Sequence, residues 1–98
     1  MLRVNDIAAV KPRFARFAKR HPAQAETLVQ IAGRHAHVFP RPHGVDETDV
    51  AEEMMIGNIV AETQEDEHRV GFGIIGTILI GVIVKLIVEF ILEQWSEA

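Results

Sequence analysis

Residues 71–95 read GFGIIGTILIGVIVKLIVEFILEQW, and this stretch decides the fold class. It is apolar for most of its length but includes Lys85 and Glu89. Sixteen Val, Ile, Leu or Phe side chains lie between residues 70 and 92. Strands seldom exceed about ten residues, so an apolar stretch of this length favours a helix. It also approaches the ~20 residues that cross the hydrocarbon core of a bilayer.

The free energy of membrane insertion favours a transmembrane helix here. The apolar side chains together contribute on the order of −7 kcal/mol on an insertion scale. Lys85 and Glu89 each cost roughly 2.5 to 3.5 kcal/mol at the helix centre, and less near an end. Trp95 lies where an aromatic interface anchor is expected. The sequence therefore predicts a transmembrane helix over residues 70–95, followed by a short tail over residues 96–98.

Small and charged residues recur every four positions along this stretch, which places them on one side of a helix. Gly73, Thr77 and Gly81 would let another membrane helix approach closely, so we predict that they form a helix-packing face. Lys85 and Glu89 are predicted to form an intramembrane charge pair. In an alternative, the part after Lys85 is an amphipathic helix that lies in the membrane interface.

Charge is distributed unevenly along the 98 residues, whose formal net charge is −4. Residues 1–43 carry +6, residues 44–69 carry −8 and residues 70–98 carry −2. Two prolines and a glycine between Phe39 and Gly44 exclude a helix at the first boundary. We therefore predict a basic helical region, then an acidic helix with a linker, then the hydrophobic helix.

Two short helices are predicted in the basic region. Pro12 and Pro22 each suit the first turn of a helix, and Gly33 is a plausible end signal for the second. Phe14 and Phe17 share one side of the first helix. The cations on the rest of its surface are Arg13, Arg16, Lys19 and Arg20. The apolar side of the second helix is formed by Leu28, Ile31 and Ala32.

The basic surface of the first helix has three interpretations. The helix could lie on anionic lipid, with its phenylalanines in the membrane and its cations among the headgroups. It could instead bind nucleic acid through phosphate contacts. In the third interpretation, the phenylalanines pack against the second helix and the cations face water.

A third helix is predicted over residues 46–61 of the acidic region. Asp49 and Glu52 have the spacing of a capping box, and acidic side chains are favoured at the positive end of a helix dipole. The predicted buried side consists of Val50, Ala51, Met54, Met55, Ile56 and Ile59. The acidic run that follows either continues this helix or links it to the next.

The sequence predicts no catalytic, cofactor-binding or metal-binding residues. Without cysteine, disulfides and thiolate zinc sites are impossible. His35, His37 and His43 lie close together but are interpreted as surface histidines beside a turn. Ser96 is the only serine, and the glycine pattern that begins at Gly71 lacks the surrounding strands of a dinucleotide site.

These observations predict an all-α protein, with a small N-terminal helical region and one C-terminal transmembrane helix. The leading functional hypothesis is a non-enzymatic accessory or structural subunit of a membrane assembly, either a membrane complex or a membrane-containing virion. Its expected partners are membrane lipid and other transmembrane helices, with anionic lipid or nucleic acid at the basic helix. The alternatives are a holin-like pore former and a soluble oligomer that buries the hydrophobic helix. Because no signal peptide is evident, the N-terminus is predicted to be cytoplasmic.

Overall fold

The computed structural model describes residues 2–65 and 72–97, and within them it contains five α-helices and no strand. The helices are α1 (Val4–Ala8), α2 (Pro12–Arg20), α3 (Pro22–Val38), α4 (Val45–Glu65) and α5 (Thr77–Glu97). A 3-10 turn, Phe72–Ile74, precedes α5. The predicted all-α class is therefore confirmed. Side chains from all five helices form one hydrophobic core.

The two helices predicted in the basic region are present, and both begin at their prolines. The prediction that the second ends at Gly33 is wrong, because α3 continues to Val38. It ends before Phe39, whose extended backbone (φ −80°, ψ 132°) is the conformation that a following proline enforces. Helix α1 was not predicted; its one fully buried side chain, Ile7, anchors it to the core.

Phe14 and Phe17 are both buried in the core, with their ring centroids 6.5 Å apart. This confirms the interpretation in which the two rings pack inside the protein, and it contradicts the one that places them in lipid. Helix α2 packs against α1, α3 and α5. The rings therefore fix the position of α2, while its cations remain exposed.

Helix α4 forms where the third helix was predicted, but it is longer at both ends. The proposed capping box at Asp49 and Glu52 is wrong, because the helix already begins at Val45. Its start is stabilised instead by Glu47, whose carboxylate accepts a hydrogen bond of 2.6 Å from the backbone N–H of His43. A carboxylate in the first helical turn also interacts favourably with the helix dipole.

The buried side of α4 recurs every four residues and is formed by Ala51, Met55, Ile59 and Thr63. Thr63 is satisfied there because its hydroxyl donates a hydrogen bond of 2.8 Å to the carbonyl of Ile59. The prediction that Val50 and Met54 are buried is wrong, since they are 57% and 53% exposed. Both lie one residue before a buried position, and one residue turns a helix by about 100°.

The C-terminal helix begins later than predicted, at Thr77. Gly76 precedes it with a φ of +91°, a conformation that glycine adopts without steric cost. Gly73 lies in the 3-10 turn, so the expectation that it shares a helical face with Thr77 and Gly81 is wrong. Residues 70 and 71 of the predicted segment lie outside the described residues.

Helix α5 packs against α2, α3 and α4 along most of its length. Its buried side chains are Ile80, Ile83, Val84, Ile87, Val88, Phe90, Ile91 and Leu92. The side that carries Lys85, Glu89 and Glu93 is exposed or partly exposed. Within the part of the chain that the structure describes, no helix is both long enough and apolar enough to span a membrane.

A matched pair of isoleucines on α5 tests its packing. Ile87 is fully buried and Ile78 is 87% exposed. We expect Ile87→Ala to lower the free energy of unfolding by about 2–5 kcal/mol, because it leaves a cavity in the core. Ile78→Ala should change it by no more than ~0.5 kcal/mol. Urea denaturation followed by circular dichroism measures both, and equal effects would contradict the packing of α5.

Candidate interaction surfaces

An ion pair between Lys11 and Glu93 aligns α2 with α5. The ammonium of Lys11 lies 2.8 Å from the carboxylate of Glu93, and the Lys11 side chain is only 17% exposed. This contact places the start of α2 beside the end of α5. At the other end, Phe17 of α2 and His21, the residue after this helix, line a cavity together with Leu79 of α5. The two helices therefore run side by side in opposite directions.

A basic–apolar surface forms where the end of α2 meets the start of α5. It consists of Arg13, Arg16 and Arg20 of α2 with Ile78, Leu79 and Val82 of α5. All of these residues except Ile78 line a shallow cavity of about 270 Å³. Sequence analysis identified the cations of this surface, but their aliphatic neighbours belong to a distant segment that only the fold brings close.

The three arginines form a row on α2, because they are spaced at i, i+3 and i+7. All three are exposed, and among the described residues none of them forms an ion pair. Helix α2 also carries no acidic residue. Lys19, the fourth predicted cation, is exposed on the same helix but does not line the cavity. This row is a surface that attracts anions.

The aliphatic part of the surface is unusually exposed for side chains of its type. Ile78 is 87% exposed, and Leu79 and Val82 are each 41% exposed. Single exposed apolar residues are common, but contiguous ones mark interaction sites. Together with the arginines, they offer both apolar area and positive charge to one partner.

Thr77 and Gly81, two residues of the predicted helix-packing face, lie on the first turns of α5. Thr77 is exposed and Gly81 is partly exposed. A Cβ atom built on Gly81 or on Gly73 would meet no other atom within 4 Å. Neither glycine is therefore required by packing within this chain, and contact with another helix stays a prediction.

Lys85 and Glu89, the predicted charge pair, are four residues apart on α5 but form no ion pair in the described structure. Lys85 is exposed and Glu89 is partly exposed. Both lie on the side of α5 that faces away from the core. Exposed charges are well solvated by water, so an ion pair between them contributes little to the stability of the fold.

Trp95, the predicted interface anchor, is partly buried against the core at the end of α5. The guanidinium of Arg41 lies 5.6 Å from the centre of its ring, a distance that allows a cation–π interaction. Both residues line an open groove of about 930 Å³ between α1, α3 and α5. This contact places the segment that precedes α4 beside the end of α5.

An acidic–apolar surface lies on the first half of α4, and sequence analysis missed it. It consists of Val50 and Met54 with the carboxylates of Asp46, Asp49 and Glu53, and all five residues are exposed. The apolar pair faces a groove of about 480 Å³ that Pro40 and Pro42 also line. The four-residue spacing of Val50 and Met54 indicates that they share one side of the helix, but the prediction from sequence placed that side in the core.

His35 and His37 are not placed to share one metal ion. His35 and His37 lie on α3, where residues two apart point in nearly opposite directions. The ring of His35 lies 3.2 Å from the carboxylate of Glu62, which also bonds Arg34 and so joins α3 to α4. No group of three histidine or acidic side chains that could hold a metal ion occurs among residues 2–65 and 72–97.

Comparison with family models, curated proteins and solved structures finds no match to this chain. The features that bear on function are therefore the basic–apolar surface and the acidic–apolar surface.

A double-mutant cycle tests the ion pair that aligns α2 with α5. Lys11→Met and Glu93→Gln should show a coupling free energy of about 0.2–1 kcal/mol in urea denaturation, because Glu93 remains half exposed. The matched cycle on α5, Lys85→Met with Glu89→Gln, should show a smaller coupling. A larger coupling in the second cycle would contradict the described arrangement.

Proposed function

We propose that the protein is a non-enzymatic accessory or structural subunit of a membrane assembly, and that the basic–apolar surface holds it at an anionic membrane surface. One observation carries this proposal: three arginines that form no ion pair with any described residue border the exposed Leu79 and Val82, and the exposed Ile78 adjoins these on α5. Proteins that lie on membranes combine these two elements, with cations at headgroup level and apolar side chains in the acyl boundary.

Membrane binding draws its free energy from both the cations and the apolar side chains. A cation near an anionic membrane surface contributes roughly 1 kcal/mol, so Arg13, Arg16 and Arg20 contribute about 3 kcal/mol together. This corresponds to a factor of about 100 in affinity, because ~1.4 kcal/mol is tenfold. Burial of Ile78 and its aliphatic neighbours adds the second contribution, at about 25 cal/mol for each Å² of apolar area removed from water.

The charge distribution supports a defined orientation on the membrane. Helix α2 carries only cations, whereas α4 begins with a cluster of carboxylates. An anionic surface attracts the first and repels the second. Because anionic lipids are concentrated in the cytoplasmic leaflet, we propose that the N-terminal helices lie on the cytoplasmic side.

The non-enzymatic role rests on the composition of the chain. It has no cysteine, and its single serine is Ser96. The groove beside Trp95 is open, and the side chains that line it include no serine, threonine or cysteine. A binding protein needs only complementary surfaces.

Vesicle co-sedimentation tests the proposal. The protein should pellet with phosphatidylcholine vesicles that contain phosphatidylserine and stay in solution with phosphatidylcholine alone. Arg16→Gln should weaken binding about fivefold, the effect of ~1 kcal/mol. Ile78→Ser should weaken it about tenfold through the loss of apolar burial. Val38→Ser, which changes an exposed aliphatic residue at the end of α3 outside this surface, is the control and should bind like the wild type.

Two outcomes would contradict the proposal. Equal binding by wild type, Arg16→Gln and Ile78→Ser would show that another part of the chain contacts the lipid. Failure to bind vesicles, combined with salt-sensitive binding of duplex DNA that Arg16→Gln weakens, would assign the arginines to nucleic acid instead.

The single-span topology predicted from the sequence is a second candidate. The open space at Gly81, where another helix could approach closely, favours it. It requires α5 to leave the bundle and to expose the side chains that now cover it. Extraction of membranes with alkaline carbonate separates the two candidates, because a peripheral protein is released and a spanning protein stays with the lipid.

A further inference from the structure

We propose that the protein associates head to tail with itself, the acidic–apolar surface of one copy occupying the basic–apolar surface of the next. The two surfaces have the same design with opposite charge. Each sets three exposed charged side chains beside exposed aliphatic or thioether side chains. A second copy of this chain is therefore a partner of matching chemistry.

The spacing of the charges matches as well as their sign. The cations occupy positions 13, 16 and 20, and the carboxylates occupy positions 46, 49 and 53. Both sets follow i, i+3 and i+7, so each spans about 10.5 Å of helix at 1.5 Å per residue. When α2 of one copy lies along α4 of another in the same direction, each arginine faces one carboxylate.

The apolar side chains complete the fit. Val50 and Met54 are more than half exposed, and so is Ile78. Methionine adapts its shape to a partner surface, and an apolar centre with a charged rim is the usual anatomy of an interface. The shallow cavity between α2 and α5 offers a place for the Met54 side chain.

The two surfaces do not pair with each other within one molecule, because among the described residues no ion pair joins the three arginines to the three carboxylates. The contact between Arg41 and Trp95 places the start of α4 near the end of α5. The aliphatic residues of the basic–apolar surface lie at the start of α5, and Val82 precedes Trp95 by 13 residues, which is about 20 Å along the helix. Because different patches meet, the contact between copies is heterologous and generates a ring or an open chain.

Self-association also regulates the surface that we assign to lipid, and this part rests on the proposed function. A second copy covers the arginines and Ile78, so lipid and the second copy compete for them. Binding to an anionic membrane should therefore dissociate the associated copies. Self-association should in turn weaken membrane binding at high protein concentration.

Charge reversal in analytical ultracentrifugation tests the association. Wild type should form species larger than a dimer, and these should dissociate as salt is raised. Arg16→Glu and Asp49→Arg should each weaken association at least about tenfold, because like charges then face each other. Glu26→Arg, an exposed site on α3 outside both surfaces, is the control and should associate like the wild type.

The two single variants also form a complementation test. An equimolar mixture of Arg16→Glu and Asp49→Arg should again form species larger than a dimer, because the two intact surfaces pair and the exchanged charges of the two altered surfaces are complementary as well. The double variant Arg16→Glu/Asp49→Arg should associate again into species larger than a dimer, because its exchanged charges are complementary. A monomeric wild type, or mixtures and double variants that stay monomeric, would overturn the proposal.

Lipid separates this proposal from the one above. Phosphatidylserine vesicles should dissociate the wild-type chains, and Asp49→Arg should bind these vesicles more tightly than wild type at high protein concentration. Vesicle binding by a wild type that is monomeric at every concentration would overturn self-association and leave the proposed function intact. Associated copies that neither bind the vesicles nor dissociate in their presence would overturn both the competition and the assignment of the basic–apolar surface to lipid.

Discussion

The packing of the apolar side of α5 against α2, α3 and α4 is the interaction on which the rest of the structure depends. Eight side chains between Ile80 and Leu92 are removed from water by this contact. Burial of one such side chain contributes roughly 1.5–3 kcal/mol, more than any exposed ion pair in the bundle. Without α5, Phe14 and Phe17 would lose part of their cover, and α2 would lose the surface that positions it. The ion pair between Lys11 and Glu93 aligns this contact rather than creating it.

The packing of the helices also determines which apolar side chains of the two surfaces stay exposed. When α5 buries one side, Ile78, Leu79 and Val82 stay outside at its start, next to the arginine row of α2. When α4 buries the side that contains Met55 and Ile59, the neighbouring Val50 and Met54 stay outside among carboxylates. The basic–apolar surface forms only when α2 packs beside α5, whereas the acidic–apolar surface forms within α4 itself.

Local signals in the sequence were sufficient to predict four of the five described helices, all except α1, and insufficient for their contacts. Pro12 and Pro22 mark the starts of α2 and α3 because a proline ring suits the first turn of a helix. Gly33 did not end α3, since a glycine in the middle of a helix costs only ~1 kcal/mol and tertiary contacts offset it. The exposure of Val50 was not predictable either: which side of α4 is buried depends on where α3 and α5 pack. The aliphatic part of the basic–apolar surface lies more than fifty residues from the arginines in sequence, so no local pattern could reveal it.

Native-state hydrogen exchange of the free protein tests most directly whether α5 belongs to the bundle. If it does, the slowest amides of residues 80–92 should exchange only through global unfolding, with the same free energy and the same urea dependence as the slowest amides of α3. Amides of α5 that exchange through a local opening far below the free energy of global unfolding, while those of α3 stay protected, would contradict the account.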